Sequence, residues 1–141
     1  MSIIVGYVPT PEGSAALDRA IAEARKTQKT LVVINSSRGD APVDKHYANQ
    51  PQLDGIEARL GKEGIDHVIL HPVRGHDAAN ELLDAAEELN AELIVIGLRR
   101  RTPVGKLIMG STAQRILLEA NCPVLAVKAN QTGANSKQGT A

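Results

Sequence analysis

The sequence predicts an α/β fold: a three-layer sandwich with a five-stranded parallel sheet, order 3-2-1-4-5, and helices on both faces. Three observations predict it. Short apolar runs alternate with longer segments of helical period, from Ile3 to Val127. The core has to be aliphatic, because 43% of the 141 residues are hydrophobic while Phe and Trp are absent and Tyr occurs twice. Strands buried on both faces of a parallel sheet have this Ile/Val/Leu character. Strand and helix also alternate throughout, which requires right-handed crossovers between parallel neighbours.

Each element has its own signal. Ile3-Ile4-Val5-Gly6-Tyr7-Val8 reads as a buried strand. Pro11 opens a helix, with Leu17, Ile21 and Ala24 at i, i+4 and i+7. Leu31 to Asn35 is the second strand. Ser36 to Gln50 contains breakers and no apolar period, so it reads as a loop. Leu53, Ile56 and Leu60 mark a helix that stops near Gly61 or Gly64. His67 to His71 is a third strand, ended by Pro72. A helix starts near Asp77, with Ala79, Leu82, Leu83, Ala86 and Leu89 on one stripe and Asp77 as a good N-cap. Leu93 to Ile96 is the fourth strand, Ser111 to Ala120 the fourth helix, and Val124 to Val127 the fifth strand.

Residues 1–128 form one domain on this reading. The stretch 129–141 lacks apolar content and reads as a disordered tail. Sixteen basic residues balance sixteen acidic ones, which argues against a chain built to coat nucleic acid or an anionic membrane. No apolar run approaches the ~20 residues of a membrane span. The N-terminus opens on a strand rather than a basic segment and a long apolar one, so no signal peptide is expected. The cytoplasm is the expected compartment. The single cysteine, Cys122, excludes an internal disulfide and reads as a half-buried filler at a helix-to-strand corner.

Function is expected where the fourth strand ends. Glu92-Leu93-Ile94-Val95-Ile96-Gly97 is followed by a loop with Arg99, Arg100, Arg101 and Lys106, then by Gly110-Ser111-Thr112 at a helix start. Glycines let backbone approach an anion, and helix-start amides, hydroxyls and cations complete the shell. A plainer account of the same residues stands beside it: Ser111 with Gln114 is a capping box, Gly97 ends a strand, and the arginines line a solvated loop. Ligands of open parallel sheets bind beyond the carboxyl ends of the strands where the order reverses, here between the first and fourth.

Other chemistry is weakly supported. His67 and His71 share a strand face but stand too far apart for a metal site. His76 sits at a helix start. Asp40, Asp44 and Glu57 read as surface charges. Ser14 and Ser111 have no adjacent base, and Val104-Gly105-Lys106 is followed by Leu107, so a P-loop is absent.

The stretch Gly97, Gly110-Ser111 and Asn121-Cys122-Pro123-Val124-Leu125-Ala126-Val127 resembles the C-terminal signature of the universal stress protein family. The resemblance extends over nearly the whole chain, more specifically in its last third. It implies a five-stranded parallel sandwich, dimeric through the last strand (Val124, Leu125, Ala126, Val127), that binds ATP, ADP or AMP in many members and no nucleotide in others. It implies a base near Gly6 and Ser36, and phosphates over Gly97, Arg99, Gly110, Ser111 and Thr112. Magnesium is implied only with bound ATP. Arg100 replaces a family glycine, and Val8-Pro9 stands where the family often has an aspartate near the ribose. Ala113 replaces a hydroxyl residue. The expected function is therefore a stress-response protein that binds an adenine nucleotide. The alternative is a dimeric interaction protein of the same fold that binds none. No catalytic dyad is legible, so an enzyme is not expected, although slow ATP hydrolysis is left open.

Overall fold

The structure, a computed structural model, describes residues 1–35, 50–71, 77–98 and 110–129. The elements in chain order are β1 (Ser2–Tyr7), α1 (Pro11–Thr27), β2 (Thr30–Asn35), α2 (Gln50–Lys62), β3 (His67–Leu70), α3 (Ala78–Glu88), β4 (Ala91–Leu98), α4 (Ser111–Glu119) and β5 (Val124–Lys128). The five strands form one sheet ordered β3-β2-β1-β4-β5, and every pairing is parallel. The expected order therefore holds, with β1 and β4 adjacent at the centre.

The register explains the apolar runs. Val5 of β1 lies beside Val33 of β2 and Val95 of β4. Ile3, Val5 and Tyr7 face α1 and α2, where they pack with Leu17, Ile21, Leu53, Ile56 and Leu60. Ile4 points to the opposite face and packs with Val32, Ile34, Ile94, Ile96, Leu82 of α3 and Ile116 of α4. Alternate residues of each central strand thus enter different cores, and both must be apolar. Each fully buried Ile, Leu or Val adds about 1.5–3 kcal/mol.

Helix starts are set by short polar residues. Thr10 caps α1: its hydroxyl accepts the Gly13 N–H at 3.1 Å, and Pro11 supplies the preset φ of the first turn. Asp77 caps α3 by accepting the Ala79 N–H at 3.3 Å, as expected. α1 ends on Gln28 in the left-handed conformation (φ 57°), a role more often taken by glycine.

Four details depart from the sequence reading. β1 stops at Tyr7, so Val8 lies just beyond the strand. β4 is longer than its apolar run and includes Ala91, Glu92, Gly97 and Leu98, because pairing with β1 begins at Ala91 and pairing with β5 continues to Leu98. Leu89 is not on the buried stripe of α3. It is the C-cap and is exposed, since the chain has already left helical geometry there. The expected capping box of α4 does not form: Gly110 is the N-cap, Ser111 is the first helical residue, and no side chain among the described residues caps the helix. The expected loop 36–50 and tail 129–141 lie almost wholly outside the described residues.

Candidate functional site

The central crossover builds the site. β1 and β4 are adjacent and parallel, and the chain leaves β1 toward α1 on one face and β4 toward α4 on the other. Their carboxyl ends therefore open a crevice between the N-termini of α1 and α4. Gly6 and Gly97 lie near the carboxyl ends of these strands, Val8 and Pro9 follow β1, and Gly110, Ser111 and Thr112 lie at the start of α4. Ser36, Arg99 and Arg100, with Arg101 and Lys106, lie outside the described residues.

The two cradle glycines do different work. A Cβ at Gly97 would lie 2.5 Å from the Glu12 carbonyl oxygen and 2.8 Å from its carbon. Gly97 is thus needed for the first turn of α1 to seat on β4. At Gly110, no heavy atom among the described residues lies within 4 Å of where a Cβ would stand. At the start of α4 the Gln114 N–H bonds the Gly110 carbonyl, and no side chain among the described residues caps the helix. A helix start in this state presents the amides of Ser111, Thr112 and Ala113 and the positive end of the dipole. That arrangement suits an anion. Gly6 is closed on its side-chain side, where Leu82 of α3 lies 3.1 Å from the place a Cβ would take.

The turn after β1 is equally tight. The Val8 carbonyl accepts the Thr10 N–H at 2.8 Å, and a Cβ at Gly13 would collide with that same carbonyl. Tyr7 is buried beside this turn. Burial pushes its phenol up from the ordinary value of 10.0, and a hydrogen bond with Ser14 opposes the shift.

Arg115 fixes α4 against α3. Its guanidinium donates to Asp77 at 2.6 Å and to Glu119 at 3.0 Å, and also to the Asn80 side-chain oxygen. Asp77 therefore caps one helix with one oxygen and holds the other helix with its second. Cys122 is half-buried at the turn before β5, as expected, and burial raises its thiol above the ordinary value of 9.0. Among the described residues no three His, Cys, Asp or Glu side chains form a metal-binding group, and no helix is long and apolar enough to cross a membrane.

Sequence reasoning missed Thr10, Glu12, Gly13 and the Arg115 network. The first three had a signal: Thr-Pro-Glu-Gly after a strand is an N-cap, a first-turn proline and a glycine that helix propensity alone disfavours. The Arg115 network joins residues 35 and 38 positions apart and had none.

A parallel five-stranded sheet ordered β3-β2-β1-β4-β5, with helices on both faces, defines a doubly wound α/β protein. Residues 1–128 match the model of the universal stress protein family, and the chain belongs to that family. It is 49% identical over 126 residues to a universal stress protein of Mycolicibacterium smegmatis, spanning 89% of this chain and 96% of that one. A universal stress protein structure from Archaeoglobus fulgidus is similar at 32% identity and a TM-score of 0.72, covering 91% of this chain and 98% of that chain. A universal stress protein from the same organism, solved in complex with dAMP, is 26% identical with a TM-score of 0.60, over 91% of this chain and 98% of that one.

Proposed function

We propose that this chain binds an adenine nucleotide in the crevice beyond β1 and β4 and serves as a stress-response protein of its family. The observation that carries the reading is the N-terminus of α4, where, among the described residues, no side chain caps the helix and no heavy atom lies within 4 Å of where a Gly110 Cβ would stand. A phosphate there would accept hydrogen bonds from the first amides of the helix. The dAMP complex of the Archaeoglobus fulgidus relative supports adenine nucleotides as the ligand class. In this reading Gly6, Val8, Pro9 and Ser36 lie on the nucleoside side, while Gly97, Arg99, Arg100, Gly110, Ser111 and Thr112 lie toward the phosphates. Magnesium enters this reading only with bound ATP. The role is binding rather than catalysis, and the protein works in the cytoplasm.

The protein pairs with a second copy through β5. That strand is the sheet edge beside β4, and its residues Val124, Leu125, Ala126 and Val127 are all only half-buried. An apolar open edge is a liability until covered.

Thermal unfolding with and without ATP and magnesium tests the nucleotide reading. A ligand at 100 times its Kd adds ~2.7 kcal/mol of stability. An unchanged Tm at millimolar ATP, ADP and AMP rejects it.

A second reading, a dimeric interaction protein without nucleotide, is favoured by Gly97, whose missing side chain is accounted for by the close approach of Glu12 alone. Under it, Val8→Asp together with Arg100→Gly creates ATP binding in a protein that had none. No gain from that pair refutes the explanation that these two residues block the site.

A further inference from the structure

We propose that the groove between α3 and α4 binds an aliphatic polyamine, its ammonium groups on carboxylates at the helix ends and its methylene stem across the floor. The groove encloses about 500 Å³. It lies at the amino ends of β4 and β5, because Ala91 opens β4 and Asn121 and Cys122 lie just before β5. That is the opposite end of the sheet from the crevice beyond β1 and β4. The inference is therefore independent of the nucleotide reading.

Charge is the first observation. The groove is lined by Asp84, Glu87 and Glu119 against a single base, Arg115. That base is already matched, since its guanidinium donates to Asp77 at 2.6 Å and to Glu119 at 3.0 Å. Among the described residues, the carboxylates of Asp84 and Glu87 have no hydrogen-bond or ion-pair partner. The two stand at i and i+3 on α3, so they share one side of the helix. The chain as a whole has zero net charge, so the acidity belongs to this groove and not to the surface at large.

The helix ends are the second observation. On the other face of the sheet, α1 closes with Arg25 and Lys26, and α2 with Arg59 and Lys62. Bases there answer the negative end of the helix dipole. The last turns of α3 and α4 carry no base. Glu87 and Glu88 close α3 instead, and Glu119 closes α4. These carboxylates add to the partial negative charge of the last carbonyls. Both ends border the same groove, and a cation in it supplies the counter-charge that both lack.

The shape then sorts the cation. Among the described residues no three His, Cys, Asp or Glu side chains converge as a metal-binding group, so the acids do not meet at one point. A chain with spaced charges reaches the acids of both helices. The floor between them is made by Ala86, Ala91, Ala120 and Cys122, all small, apolar and half-buried. Such a floor seats methylenes, as apolar surface seats the stem of a lysine. An ammonium group donates three hydrogen bonds and accepts none, which matches carboxylates and the side-chain oxygens of Asn90 and Asn121 at the rim.

The test is calorimetry of the full chain with spermidine, butylamine and magnesium chloride, all at one ionic strength. Spermidine is expected to bind saturably and one-to-one, about tenfold or more tighter than butylamine, which has the stem and a single charge, and than magnesium. Asp84→Asn with Glu87→Gln is expected to weaken spermidine by about tenfold or more. Both residues are exposed, so the pair keeps the fold. Glu87→Lys is a second variant: it puts a base at the end of α3, and is expected to raise the Tm without ligand and to abolish spermidine binding. No spermidine binding by the wild type overturns the proposal. So does magnesium binding as tightly as spermidine, which marks diffuse counter-ion attraction, and so does undiminished spermidine affinity in either variant.

Discussion

Replacing Gly97 by alanine separates packing from ligand binding in this crevice. The new Cβ meets the Glu12 carbonyl oxygen at 2.5 Å, about 0.9 Å inside ordinary contact at 3.4 Å. Both groups are backbone, one on β4 and one in the first turn of α1, so neither escapes by changing rotamer. Overpacking of this kind costs about 1–3 kcal/mol. Alanine recovers about 0.5–1 kcal/mol of strand preference over glycine. A clash at 2.5 Å with backbone belongs in the upper part of the first range, about 2–3 kcal/mol, so the net loss is about 1–2 kcal/mol. For a domain of this size that lowers Tm by roughly 3–8 °C. Gly110→Ala is the matched control. It meets nothing among the described residues and has an ordinary φ of −72°. Its cost to the apoprotein stays under about 1 kcal/mol, the difference between two residues that provide no side-chain cap. The assay is thermal unfolding of both variants without ligand, followed by titration with ATP. An apo Tm for Gly97→Ala equal to or above wild type refutes the close approach of α1 to β4. Gly110→Ala is expected to keep its Tm and lose nucleotide-induced stabilisation, because its methyl enters the space left for the phosphate.

Asp77→Ala removes both the α3 cap and the partner of Arg115; a loss of about 1–2 kcal/mol is expected by denaturant titration, and one below about 0.3 kcal/mol rules out the double role. His67 gives a pH dependence. Its Nδ1 faces the Ile65 carbonyl at 2.8 Å and its Nε2 faces the Glu57 carboxylate, so both partners accept and only the imidazolium satisfies both. The Ile65 carbonyl raises its pKa above 6.5, burial opposes this, and Glu57 and Asp66 add to the rise. A raised folded pKa means that the contribution is full below the unfolded value near 6.5 and fades as pH climbs through the folded value. Relative to His67→Gln, the wild type is therefore expected to be more stable at about pH 6 by roughly 0.5–1 kcal/mol, with the gap closing on the alkaline side. A gap that widens with pH contradicts the imidazolium assignment. For the dimer, Leu125→Lys places a charge on the half-buried β5 edge, and sedimentation is expected to show monomer; a wild type already monomeric removes the β5 interface.

The strand-and-helix order is legible because burial on both faces demands continuous aliphatic runs, and Ile3 to Val5, Leu31 to Ile34 and Leu93 to Ile96 carry that demand in the chain itself. Asp77 is legible as a cap because capping is local. Ser111 is not, since the sequence Gly-Ser-Thr permits either of the first two residues to start the helix, and the backbone chooses Gly110. Leu89 misleads because an apolar residue in helical phase carries no mark that the helix has ended one residue earlier.

Local pattern therefore determines which segments become strands and helices, and it marks the segment of the candidate site. Tertiary structure alone decides what each residue around that site meets. Gly97 answers to a carbonyl from α1, Gly110 meets nothing among the described residues, and Arg115 answers to the aspartate that caps a neighbouring helix. These relations depend on distances between segments far apart in sequence. Periodicity and capping encode what each residue needs from its near neighbours, and they are silent on which distant backbone arrives to meet it.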